Sequence, residues 1–177
     1  MPIASWLDLL LLVLVVAAAI NDLAVRKIPN KLLLAGAVGA LGLYLYGPTP
    51  AADLRAALGG AALGFALFLP LYVLRGMAAG DVKMMATVGF FLGPSQTLHA
   101  CILTWCIGGL MALVILLVTG RWRIAYTNMR SILLPLLLRM GPAAPGSNAA
   151  RPSAGSMPYG LAIALSTIWL LAQRHHA

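Results

Sequence analysis

Gly76-Met77-Ala78-Ala79-Gly80-Asp81-Val82-Lys83 separates two long apolar runs and places a single carboxylate, Asp81, behind a short Gly/Ala stretch. An ionisable group at a membrane boundary is costly, which makes it a functional candidate by default. A second carboxylate, Asp22, closes the first apolar run in an analogous place. Read together, the two predict an aspartate pair that folding brings to one face of a membrane.

The composition around this stretch requires the membrane. Of the 177 residues, 62% are hydrophobic and 9% charged, with a mean hydropathy of +0.94. So little polar surface does not cover a soluble domain of this size. The apolar runs approach the roughly 17–25 residues that a spanning helix needs. The expected fold is all-α, a polytopic membrane protein with six transmembrane helices over residues 3–23, 31–46, 54–74, 82–92, 97–119 and 157–171. The fourth is short for a full span, so it is expected to tilt or to start deeper. Residues 131–139 are apolar but too short to span and contain Pro135, which reads as an interfacial helix. Residues 142–156, rich in Gly, Ala, Pro and Ser, read as a flexible loop. The first run has no basic start and ends in Asn21-Asp22, so it reads as a retained helix and not a cleaved signal. Residues 1–177 read as one integral-membrane domain, with no soluble domain attached.

The net charge of +8 comes from Lys and Arg clustered between apolar runs. That clustering argues for membrane topology and against a nucleic-acid partner. Arg26, Lys27 and Lys31 occupy the first loop, Arg75 and Lys83 flank the third, and the fifth is arginine-rich. The second loop has Arg55 offset by Asp53, and the fourth has neither Lys nor Arg. Odd-numbered loops are therefore expected in the cytoplasm and the amino terminus outside. This sorts the few acids, Asp8, Asp22, Asp53 and Asp81, since there is no glutamate. Asp22 and Asp81 share the cytoplasmic side; Asp8 and Asp53 fall on the other. Cys101 and Cys106 do not form a CxxC pair and have no His cluster beside them, so neither a metal nor a cofactor is expected.

Each candidate has a bland reading too. Asp22 is placed to pair with Arg26, one helical turn on. Asp81 is placed to cap the helix that follows it, and Asn30 to cap the second helix behind Pro29. Lys83 reads first as a topology-fixing cation and second as a site residue. Gly59, Gly60 and Gly64 predict a close helix contact, within the chain or between copies.

Taken together, the motifs resemble a known family. Asp22 with Arg26-Lys27-Ile28-Pro29-Asn30 resembles the first catalytic motif of the prepilin peptidases. Gly80-Asp81-Val82-Lys83 resembles their second, the GxGD motif shared with presenilin-type aspartic proteases. Met157-Pro158-Tyr159-Gly160, opening the last helix, resembles a third signature. Length and spacing are most similar to the short peptidases of tight-adherence (Flp) pilus systems. One departure stands out: Ala78 occupies the position of the family's first motif glycine. The methylase insertion with paired CxxC motifs, found in longer relatives, has no counterpart here.

The resemblance implies a bacterial inner-membrane endopeptidase with Asp22 and Asp81 as catalytic residues. Pro29, Asn30, Gly80, Lys83, Pro158, Tyr159 and Gly160 would be supporting motif positions. Its substrate would be a prepilin, cut between a basic leader and an apolar helix at the cytoplasmic face. Two neighbouring carboxylates suit this chemistry, because like charges in contact share one proton and so supply a base and an acid together. Helix ends are expected to make the pair unequal: Asp22 lies near the negative end of its own helix and Asp81 near a positive end. Two alternatives compete. One is a broader presenilin-like intramembrane protease. The other, of a different class, is a small proton-coupled transporter, against which stands the lack in this sequence of the paired broken helices that transporters use. Neither the oligomeric state nor the particular prepilin is legible.

Overall fold

The computed structural model describes residues 3–74, 76–120 and 158–176. Among these residues every regular element is a helix: α1 (Ile3–Val25), α2 (Asn30–Leu45), α3 (Pro50–Val73), α4 (Ala79–Thr119) and α5 (Tyr159–His176). The interfacial helix expected over 131–139 and the loop over 142–156 lie outside the described residues. Among the described residues three helices are long and apolar enough to cross a membrane: Ala4–Val25, Pro50–Val73 and Ala79–Thr119. The chain divides into two compact units, residues 1–108 with 158–177, and residues 109–157. The described helix of the second unit is the last stretch of α4.

Prolines and glycines set the boundaries. No Gly or Pro interrupts α1. It ends where Arg26 turns left-handed, at φ 56, and Pro29 then precedes α2. Pro50 opens α3 as its first residue, where the missing N–H costs nothing. The sequence suggests Asn30 as the cap of α2. Instead Pro29 holds that position, with φ −65 and ψ 123, and Asn30 is the first helical residue. Proline's fixed φ suits the extended residue before a helix, which leaves the Asn30 side chain free for another partner.

α4 is one element broken at Gly93, whose φ of 73 and ψ of 171 are not helical. Unbroken, its 41 residues would measure about 61 Å, roughly twice the hydrocarbon thickness. Contacts with α3 show that the chain reverses at this glycine. A Cβ on Gly64 would lie 2.7 Å from the Met85 carbonyl oxygen, and one on Gly60 would collide with Gly89. Past the break, a Cβ on Gly59 would lie 3.1 Å from Pro94 Cγ, and Phe68 stacks on Trp105 at 6.1 Å. The first arm thus runs against α3 and the second runs back along it. Tyr44 of α2 closes the turn by donating to the carbonyls of Phe90 and Phe91 at 2.9 and 3.2 Å, where the helical ladder is interrupted.

In the first unit, α1 packs between α2 and α5. Its two faces are both apolar. Leu11, Val15 and Ala18 are buried, while Leu9, Val13, Val16, Ile20 and Leu23 are exposed. Apolar side chains outside as well as inside are what a protein core on one side and lipid on the other require. The inward stripe continues one turn beyond Ala18 to Asp22, at this spacing of three and four. On α4 the stripe of Met84, Met85 and Val88 begins at Asp81. Both carboxylates therefore stand at the end of a buried apolar stripe.

Candidate active site

Asp22 is 6% and Asp81 5% exposed, and each is within electrostatic reach of the other. Helix direction explains the meeting. α1 ends, α2 begins, α3 ends, and α4 and α5 begin at this end of the unit. Asp8 and Asp53, near the starts of α1 and α3, lie at the opposite end. Fourteen residues of helix, about 21 Å, separate Asp8 from Asp22.

Each carboxylate is held by the open N-terminus of a helix. Asp81 Oδ2 accepts a hydrogen bond from the Ala78 N–H at 3.0 Å. Asp81 is therefore not the cap of α4 but its third residue, reaching back to the capping position as the acidic half of a capping box does. Asp22 Oδ2 accepts from the Gly160 N–H at 2.9 Å, in the first turn of α5. Asp22 thus faces a positive helix end as well as the negative end of its own helix, and the inequality expected from α1 alone is offset. Among the described residues neither Oδ1 has a protein hydrogen bond, and neither is a fully buried unpartnered atom. One oxygen of each carboxylate is fixed and the other is open.

The pairing expected between Asp22 and Arg26 is absent among the described residues. Arg26 uses its backbone N–H, which donates to the Asp22 carbonyl at 3.0 Å, and its side chain is exposed. No ion pair reaches either carboxylate among the described residues. Lys83, also exposed, donates from Nζ to Asn30 Oδ1 at 3.3 Å and ties the first residue of α2 to α4. Beneath that tie, Ile28 packs on Gly80 at ordinary distance: a Cβ on Gly80 would lie 3.5 Å from Ile28 Cβ. Gly80 is therefore not required by crowding. Pro158 is buried, and its carbonyl accepts from the Leu161 N–H at 3.2 Å. Tyr159 is half-buried and within electrostatic reach of Asp81. Ala78, in place of the family's glycine, does not have a positive φ, so its methyl group does not strain this backbone.

The sequence does not single out the Ala78 N–H as the partner of Asp81. The signal for it was an acid three residues into a helix, the capping-box spacing. Nothing local to Asp22 signals Gly160, since 138 residues separate the two. Among the described residues no group of His, Cys, Asp and Glu is arranged to hold a metal ion. Chemically, two buried carboxylates at one end of the unit, each with an open oxygen and, among the described residues, no ion pair, can bind and deprotonate a water.

No curated protein and no solved structure matches the chain. The sequence model of the type IV leader peptidase family matches residues 9–113, more than half of the 177, from within α1 to within the second arm of α4, and so includes Asp22 and Asp81. The chain belongs to the type IV leader peptidase family, and it is a peptidase carried on apolar helices.

Proposed function

We propose that this peptidase is an aspartic-type endopeptidase of the bacterial inner membrane, and that it removes the leader from Flp-like prepilins. It would cross the membrane six times with its amino terminus outside and its site at the cytoplasmic face. Its partners would be the leader and apolar helix of the prepilin, within the bilayer. The observation that supports the reading is the buried pair: Asp22 and Asp81 stand at the same end of the first unit, each is fixed through Oδ2 by a helix N-terminus, and among the described residues neither is in an ion pair.

The chemistry follows from one shared proton. A water held by the Oδ1 atoms loses a proton to the ionised carboxylate as its oxygen attacks the scissile carbonyl carbon. The protonated carboxylate donates to the carbonyl oxygen. Collapse of the tetrahedral intermediate returns a hydroxyl proton to the carboxylate that had donated it and breaks the C–N bond, while the proton taken from water passes to the departing amine.

Asp22→Asn, Asp81→Asn and the double variant test this. Asn keeps the shape but removes the titratable proton. Each single variant should lose cleavage by about 10²–10⁴-fold, and the double variant should be no worse, because the residues act as one unit. The assay is conversion of full-length Flp-type prepilin to its mature form, followed by gel shift and amino-terminal sequencing. Substantial cleavage by either single variant, correctly inserted, would sink the dyad.

A further inference from the structure

We propose that the first turn of α5 is a positioning element for the dyad: the Gly160 backbone N–H orients Asp22, and the missing Gly160 side chain makes room for the carboxylate. The inference rests on the dyad reading above. It adds a part of the chain that the family match, ending at residue 113, does not reach.

Three observations support it. The hydrogen bond is buried and of full-strength length, from Gly160 N–H to Asp22 Oδ2 at 2.9 Å. A Cβ on Gly160 would stand 2.8 Å from Asp22 Oδ2, closer than real side chains approach, and 3.0 Å from its Cβ and Cγ, tighter than most. Asp22 sits on the buried stripe of α1 with Leu11, Val15 and Ala18, so room for an added methyl would have to come from a shift of the carboxylate itself.

The register of α5 against α1 makes the N–H a fixed point. The two helices run antiparallel. At the far end Arg174 Nη1 donates to Asp8 Oδ1 at 2.9 Å. Fourteen residues separate Asp8 from Asp22, and fourteen separate Gly160 from Arg174. Midway, Ser166 Oγ and Thr104 Oγ1 lie 2.6 Å apart, tying α5 to α4. Ala162, Ile163 and Ala164 are buried between these ties. A slip of one residue would carry the Gly160 N–H about 1.5 Å along the axis. With Oδ2 held, Asp22 presents Oδ1 in one orientation, which is the purpose of positioning.

The test uses the full-length chain in lipid vesicles, with full-length Flp-type prepilin as substrate. Gly160→Ala should lower kcat by about 100-fold with KM little changed, the scale on which misplacement by about 1 Å acts. Gly42→Ala, also within a helix but with nothing within 4 Å of the added methyl, should keep wild-type kcat. Replacing the Gly160 residue by glycolic acid turns the amide into an ester, which removes the N–H and adds no side chain. That variant should lower kcat by about 10-fold or more, as loss of a hydrogen bond to a charged group does, and displace one limb of the pH–rate profile. It decides the matter if Gly160→Ala fails to insert. Wild-type kcat in inserted Gly160→Ala, or an unchanged kcat and pH profile in the ester, would overturn the positioning role while Asp22→Asn remained inactive. Cleavage by Asp22→Asn would instead overturn the dyad reading beneath it.

Discussion

At the scale of residues, the four aspartates divide by the groups that hold them. Asp22 and Asp81 accept main-chain N–H bonds in buried surroundings. Asp53 accepts from Thr49 Oγ1 at 3.1 Å in the first turn of α3, and Asp8 pairs with Arg174 on the part-exposed far end of α1. These are ordinary structural roles. Asp53→Asn should cost about 0.5 kcal/mol, the worth of an acid at a helix N-terminus. Asp8→Asn should cost about 1 kcal/mol, the upper value for an exposed pair. Thermal unfolding in detergent checks both figures. Both variants should cleave prepilin as the wild type does, because packing, the Thr104–Ser166 tie and the Gly160 N–H still hold α5 in register. Loss of cleavage in Asp53→Asn would place a third carboxylate in the mechanism.

Among elements, the contact between α3 and α4 has the least room. A side chain on Gly60 would meet the backbone of Gly89 and not a flexible side chain, so only movement of a helix relieves it. Gly60→Ala should therefore destabilise by about 1–3 kcal/mol, the usual cost of overpacking. Unfolding in detergent reads that loss, and a wild-type midpoint would mean that the helices stand further apart. This contact shows what the sequence discloses. Gly59, Gly60 and Gly64 announce a close approach because small residues permit one; they do not name the partner, which is α4 for all three. Gly93-Pro94 announces the reversal equally well. Caps are less legible. Pro29 and Asn30 both suit a helix start, and only the backbone angles decide which one precedes the helix. Asp81 suits the cap and the third helical position for the same reason. The bond from Gly160 to Asp22 is not legible at all, since no local pattern couples residues so far apart in the chain.

Across the whole molecule, alternating helix directions place Asp22 and Asp81 at one end of the first unit. Arg26, Lys27, Lys31 and Lys83 are exposed at that same end. Cations gather on the cytoplasmic side of membrane proteins. A reporter fused after Lys27 should therefore give a cytoplasmic signal and one fused at Pro50 a periplasmic signal. A cytoplasmic signal at Pro50 would overturn the orientation. The reversal at Gly93 also bears on how the chain enters the bilayer during synthesis. The arm over 79–92 rises only about 21 Å, short of a hydrocarbon layer of about 30 Å, and it starts beside a carboxylate. Such a segment does not partition into lipid by itself. The arm after the break is longer, carries no Asp, Glu, Lys or Arg, and becomes predominantly apolar after Ser95, Gln96, Thr97 and His99. The two arms are therefore expected to insert together as a hairpin, with Asp81 reaching its place only after the second arm has been made; a chain ending at residue 92 should leave its last arm outside the bilayer, which protease accessibility checks.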